Sequence, residues 1–215
     1  ANLPPSQTAL LESLRQRSAQ GLDRLTKPIE AFEGFARRNE DLSERLHREV
    51  IFSRMRPLAD GIHGFPRLVR DVSRQLNKQV RLVTKGEQTG GDRDILDKLE
   101  APLSHLVRNA LDHGMELPDD RVRNGKSASG TITIDAGHRA GSLTISITDN
   151  GTGIPDDMMP HLFDPFVTSK PKGSGLGLAL VAKIIGDHGG IVECETANTR
   201  TVFRVMLPMF QDRKG

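Results

Sequence analysis

Asp149-Asn150-Gly151-Thr152-Gly153, followed downstream by Gly173-Ser174-Gly175-Leu176-Gly177-Leu178, is the stretch that decides how this chain is read. One carboxylate stands beside two glycines. A short segment then leads to three alternating glycines that open onto an apolar helix. Asp149 can accept a hydrogen bond from an adenine amino group. The second glycine cluster lets backbone N–H groups approach phosphate oxygens, and the helix after it offers its positive N-terminal end. Base recognition and phosphate cradling together point to a nucleotide site. The common phosphate loop, Gly-x4-Gly-Lys-Ser/Thr, is absent, and Gly175-x-Gly177 lacks the third glycine and the preceding strand of a dinucleotide fingerprint. A glycine run alone reads as a turn, so the inference needs a third element.

That element is His105-Leu-Val-Arg108-Asn109-Ala-Leu-Asp112-His113-Gly114. Its spacing predicts a helix with Leu103, Leu106 and Ala110 inward and His105, Asn109 and Asp112 on one face. Gly114 is placed to stop the helix. An amide oxygen, a carboxylate and an imidazole on one stripe suit a hydrated Mg²⁺ held between protein and triphosphate.

These residues carry a resemblance. Asn109 with its neighbours, Asp149-x-Gly151-x-Gly153, the Phe163/Phe166 segment and Gly173-x-Gly175-x-Gly177 resemble the N, G1, F and G2 boxes of the histidine-kinase ATP-binding domain. Gyrase-type ATPases, heat-shock chaperones and anti-sigma-factor kinases share that superfamily. The resemblance is split. Residues from about 44 to 135 resemble a chemotaxis-type kinase, in Ser53-Arg-Met-Arg-Pro57-Leu, Phe65-Pro-Arg-Leu-Val-Arg-Asp71, Asp92-Arg-Asp-Ile-Leu and the His105–Gly114 run. The flavour is that of chemosensory systems controlling surface behaviour. Residues from about 149 to 210 resemble a nitrogen-regulation sensor kinase, in Leu162-Phe-Asp-Pro-Phe-Val-Thr-Ser-Lys170, Gly175-Leu-Gly-Leu-Ala-Leu-Val-Ala-Lys-Ile-Ile185 and Thr201-Val-Phe-Arg-Val. The segment between the glycine boxes is shorter than chemotaxis-type kinases carry. A chimera joined between roughly Gly130 and Asp149 is therefore expected.

The resemblance implies an α/β two-layer sandwich of the histidine-kinase ATP-binding kind, preceded by a long dimerisation helix. The boundaries read as 1–57 for the helical segment and 58–215 for the ATP-binding domain, with a lid over about 154–174. ATP and Mg²⁺ are the implied cofactors. Asp149 anchors adenine and rejects guanine, whose equivalent position carries a carbonyl, and Thr201 assists it through water. Gly151 and Gly153 keep the floor clear for the base, with Ile154 beside them. Asn109 is the metal ligand, and His105 positions or deprotonates the acceptor imidazole. Arg108, Asp112 and His113 serve phosphate or ribose. Phe163 and Phe166 pin the lid, from which Thr168, Ser169, Lys170 and Lys172 face the triphosphate. Gly173, Gly175, Leu176, Gly177 and Leu178 form hinge and cradle. The implied partners are a histidine phosphotransfer domain as substrate, then a response regulator, with a homodimer through the N-terminal helix.

Composition agrees with an ordinary domain plus a smaller element: 215 residues, net charge +2, 27% charged, no Trp or Tyr, and eight Phe as large anchors. No basic patch interleaved with aromatics argues for nucleic acid. The single cysteine, Cys194, cannot form an internal disulfide, which suits a cytoplasmic setting, and it reads as a small core residue in a strand. No apolar run reaches membrane-spanning length, and no signal peptide is visible.

Residues 6 to about 54 read as helix. Leu22, Leu25, Ile29, Phe32, Ala36, Leu46 and Val50 form a seam, interrupted by Asn39 and Ser43, and Pro28 is a kink or a fresh start. Pro57 and Gly61 end that helix. Further on, the pattern predicts helix over 65–76, strand at 80–83, helix over 93–113, a polar loop to Gly130, strands at 131–134 and 143–147, helix over 177–188, and strands at 191–195 and 202–207. No histidine fits the phospho-acceptor well; His47 in His47-Arg48-Glu49 is the nearest. The acceptor is therefore expected on another domain, and the receptor-coupling domain of chemotaxis-type kinases is expected to be absent after Gly215. Two rivals remain: a related ATPase, for which Glu100 lies too far from Asn109 to serve as base, and a nucleotide-binding dimer scaffold without catalysis.

Overall fold

Strict alternation in Thr131-Ile-Thr-Ile134 and Leu143-Thr-Ile-Ser-Ile147 puts branched apolar side chains on one face of a sheet. The computed structural model bears this out. It describes residues 15–18, 21, 32–46, 49–50, 53–168, 174–197 and 199–208. The chain divides into two units, Ala1–Ser53 and Arg54–Gly215.

In the first unit, residues 32–46 form helix α1, and Phe32, Phe35, Leu42 and Leu46 on it are exposed, as is Val50 beyond it. Of the seam read from the sequence, Leu22, Leu25 and Ile29 lie outside the described residues, as do Pro28 and His47.

The second unit carries a five-stranded sheet in the order β2-β4-β5-β7-β6, built from β2 (Val80–Lys85), β4 (Gly130–Arg139), β5 (Ser142–Asp149), β6 (Ile191–Ala197) and β7 (Arg200–Pro208). β2 pairs parallel with β4, and the other pairs are antiparallel. One sheet face, with Ile132, Ile134, Ile145, Ile147, Phe203, Val205 and Leu207 buried, carries the core. The cover is α3 (Phe65–Gln75), α4 (Arg93–Asn109) and α6 (Gly177–Asp187), which contribute Phe65, Val69, Leu99, Leu103, Leu106, Val107, Val181 and Ile185. Helices packed over a mixed sheet make the expected two-layer sandwich. The carboxylate of Asp92 caps α4 by accepting the Asp94 N–H at 2.8 Å. Pro102 lies inside α4 without ending it, and burial of Leu99 and Leu103 on either side holds the helix together there.

Four details differ from the sequence reading. Pro57 belongs to β1 (Met55–Pro57), which pairs with β3 (Gly90–Asp92), and Gly61 lies inside a short helix α2 (Leu58–Ile62) rather than ending one. Buried Leu58 and Ile62 fix α2 against the core. The polar loop before Gly130 contains helix α5 (Pro118–Arg123), started by Pro118 and by Asp119 and Asp120 in its first turn. The end of α4 widens into a π-helical turn over Ala110–Gly114. β4 begins at Gly130 and runs to Arg139, well past Ile134. Among the described residues no helix is long and apolar enough to cross a membrane.

Candidate functional site

The π-helical turn and the C-terminal end of β5 meet at one mouth of the sandwich. They wall a cleft of about 440 Å³, closed on the other side by residues 152–155, 158, 162, 167–168 and the start of α6. Asp149 is the last residue of β5 and is buried at 3% exposure. Its Oδ1 accepts the Gly151 N–H at 2.9 Å. Burial pushes its carboxyl up to about 6; the Gly151 hydrogen bond opposes the shift, the charge of Glu116 adds to it, and those of Lys126 and Arg121 oppose it. Thr201 is its cross-strand neighbour on β7 and is equally buried. The floor therefore sets a carboxylate beside a hydroxyl.

Backbone contacts hold this floor. The Thr152 N–H donates to the Gly114 carbonyl at 2.8 Å. A Cβ on Gly151 would overlap that carbonyl, and a Cβ on Gly114 would come within 2.9 Å of Asp149 Oδ1. The absence of side chains is what lets the π-turn lie against the Asp149 loop. Lys78 braces the turn from behind, its Nζ donating to the carbonyls of Leu111 at 2.7 Å and Asp112 at 2.8 Å. These carbonyls lie in the helix's last turn, where a cation is favourable.

His105, Arg108 and Asn109 of α4 and Asp112 and His113 of the turn also line the cleft. The imidazole of His105 lies against Gly177, occupying the space a Cβ there would need. Gly175 adopts φ +63° and touches the backbone of Phe166, whose N–H donates to the Gly175 carbonyl at 2.9 Å. Phe166 itself is left-handed at φ +70°, which an aromatic residue adopts only when its surroundings enforce it. The crossing places the first turn of α6, with its unsatisfied N–H groups, on the cleft wall.

Of the residues read from the sequence, the structure gathers His105, Arg108, Asn109, Asp112, His113, Asp149, Gly153, Ile154, Thr168, Gly175, Gly177, Leu178 and Thr201 around this cleft. Gly151 and Leu176 are not among the lining residues, Leu176 being exposed, and the Phe166 ring is exposed rather than packed on the lid. Phe163 does the packing, edge-on to Phe203 at 6.5 Å. Ser169, Lys170, Lys172 and Gly173 lie outside the described residues. The sequence reading missed the apolar lining of Met158, Leu162, Val167 and Phe203, and the direct part of Gly114. The apolar period of the lid and the alternation of β7 were the available signals for the lining.

Among the described residues no three His, Cys, Asp or Glu side chains converge as a metal cage. The hard oxygens of Asn109 and Asp112 fit Mg²⁺ that brings most of its ligands as phosphate and water. Cys194 sits half-buried in β6 against the core, its thiol pushed up to about 12 by burial and by the charges of Asp149 and Glu195, as an inert packing residue.

Residues 96–211 match the family model described as histidine kinase-, DNA gyrase B-, and HSP90-like ATPase. The chain is 48% identical over 120 residues to the sensory histidine kinase/phosphatase NtrB of Rhizobium leguminosarum bv. phaseoli, covering 54% of this chain and 31% of that one. It is 33% identical over 191 residues to the chemotaxis protein CheA of Salmonella typhimurium, covering 76% of this chain and 28% of that one. This chain thus spans about a third or less of the length of these curated relatives. The catalytic domain of the histidine kinase ThkA superposes with a TM-score of 0.55 at 26% identity, covering 72% of this chain and 95% of that domain. The cleft, its four boxes and these likenesses agree: the chain belongs to the histidine kinase-, DNA gyrase B- and HSP90-like ATPase family, as a catalytic domain of the histidine-kinase kind.

Proposed function

We propose that this chain is the ATP-binding catalytic core of a two-component or chemosensory kinase that passes the γ-phosphate of ATP to a histidine on a separate domain. The carrying observation is the juxtaposition in one cleft of a buried carboxylate–hydroxyl pair, Asp149 and Thr201, with Asn109, His105 and the α6 N-terminus. A base seated on Asp149 directs its phosphates away from the sheet, toward the polar wall of α4. The free Asp149 oxygen accepts the adenine amino group; Arg108, Asp112 and His113 meet ribose and phosphates. Asn109 would hold Mg²⁺, which would supply neutralisation of phosphate charge. In the transfer the γ-phosphorus leaves the β–γ bridging oxygen and bonds to an acceptor imidazole nitrogen. ADP carries away the released electron pair, and His105 orients the acceptor and takes its proton. Gly175 and Gly177 bring the first turn of α6 to the triphosphate, with Thr168 beside it.

A homodimer through the N-terminal helix fits this role, since the described apolar residues of α1 are exposed. The likenesses to CheA and NtrB support a phosphotransfer domain and then a response regulator as partners, and a cytoplasmic setting. The split likeness to NtrB and CheA supports a chimera joined between roughly Gly130 and Asp149, and the full-length genomic sequence tests it. The direct test is incubation with γ-labelled ATP, Mg²⁺ and a histidine phosphotransfer domain of a chemosensory kinase. Acid-labile label on that domain is the expected result. Free phosphate with no labelled protein overturns the kinase reading in favour of an ATPase.

A further inference from the structure

The cluster formed by Glu116, Arg121 and Lys126 sits behind the Asp149 loop, and neither the family boxes nor the proposed chemistry uses it. Arg121 is fully buried at 1% exposure, and Glu116 and Lys126 retain 8% and 20% of their side-chain exposure. Glu116 gives one oxygen to each cation, accepting Arg121 Nη1 and Lys126 Nζ at 2.7 Å each. Both cations then reach the backbone of the Asp149 loop. Arg121 Nη1 donates to the Asn150 carbonyl at 3.2 Å, and Lys126 Nζ donates to the Gly151 carbonyl at 2.6 Å. The Asn150 Oδ1 is also held, by the Thr131 N–H at 2.8 Å and Arg121 Nη2 at 3.3 Å.

Each of these contacts falls on a peptide group whose other end already has a task. The Asn150 carbonyl and the Gly151 N–H belong to one planar peptide. Arg121 grips its oxygen, and its N–H points at Asp149 Oδ1. The next peptide has its oxygen on Lys126 and its N–H on Gly114. Because a trans peptide cannot turn one end without the other, Arg121 fixes the direction of the N–H that aims the carboxylate, and Lys126 pins the adjoining peptide to which Gly151 is also bonded. With Asp149 ionised, two negative and two positive groups match in number, and the two cations offset part of the cost of burying the Asp149 charge.

We propose that Glu116, Arg121 and Lys126 are positioning residues that set the site's preference for adenine, by clamping the peptide that aims Asp149 and the peptide that follows it. This rests on Asp149 being the adenine anchor. Loosening the clamp lets the carboxylate swing from the line of the 6-amino group, while the phosphate wall of α4 is untouched. The loss therefore falls on ATP and spares a nucleotide with a carbonyl at that position.

The test is calorimetric titration of the whole chain with a non-hydrolysable ATP analogue and with inosine triphosphate, both with Mg²⁺. The expected result for Lys126→Met is a preference for ATP narrowed by about tenfold, the scale of one charge-assisted hydrogen bond. Inosine triphosphate affinity should stay unchanged, and Lys126→Arg should restore the preference. Should Lys126→Met lose its fold by circular dichroism, Glu116→Gln replaces it, with the same narrowing expected. An unchanged preference, or an equal loss for both nucleotides, overturns the proposal. Asp149→Asn run alongside isolates the underlying reading: if it leaves the preference intact, Asp149 does not read the base, whatever the cluster does.

Discussion

Acidification should switch off nucleotide binding through Asp149, and the size of the effect follows from its burial. The native carboxyl titrates near 6 against an ordinary 3.8. The ionised fraction is then about ten-elevenths at pH 7 and about one-eleventh at pH 5. If the adenine amino group requires the carboxylate, the association constant falls about tenfold over that interval, or about 1.4 kcal/mol. The triphosphate also gains a proton in this range, and Asp149→Asn retains that part of the slope. The assay is calorimetric titration with a non-hydrolysable ATP analogue at half-unit steps from pH 5 to 7.5. Identical slopes for the parent and Asp149→Asn would refute the assignment. Folding has the opposite sign. A carboxyl whose native pKa is raised contributes stability that is full below about 3.8 and lost as pH rises through about 6. At pH 7 the buried charge costs on the order of 3 kcal/mol. The nucleotide-free Asp149→Asn protein should therefore melt above the parent at pH 7, and that margin should vanish near pH 4.

Gly177→Ala places a methyl in the space of the His105 ring and should weaken nucleotide binding at least about tenfold; the double variant with His105→Ala should recover much of that affinity by calorimetry. Lys78→Met removes the ammonium from the Leu111 and Asp112 carbonyls. It should lower stability by about 1–3 kcal/mol in urea titration and weaken nucleotide binding with it. Ile145→Ala opens a void in the central strand, where the side chain is wholly buried, and should cost about 2–5 kcal/mol in the same titration. Its surviving folded fraction should bind nucleotide like the parent, because Ile145 does not line the cleft.

The parts of the site legible in the sequence are those whose chemistry is local. Asp149 beside Gly151 and Gly153, and Asn109 one helical turn after His105, announce themselves by residue type and spacing, and the fold places them around one cleft. The sheet was legible where alternation was strict, in β4, β5 and β7. What escaped depends on partners distant along the chain. Glu116, Arg121 and Lys126 fall in what reads only as a polar loop, because their partners at Asn150 and Gly151 become neighbours only after β4 and β5 pair. The π-helical turn adds one residue to a helical circuit, which a 3.6-residue period cannot register. Lys78 has no helical periodicity that links it to the N box, and its acceptors are carbonyls, which every residue carries. The helix α2 begins after Pro57, where the sequence signals read as a stop.

The most direct test of the central claim is the crystal structure of the chain with a non-hydrolysable ATP analogue and Mg²⁺. The base should lie in the cleft with its 6-amino group on the Asp149 oxygen that Gly151 does not hold, and the phosphates should run between Asn109 and the first turn of α6. A nucleotide bound elsewhere, or one reversed with its base against Asn109 and its phosphates at Asp149, would contradict the assignment of this cleft.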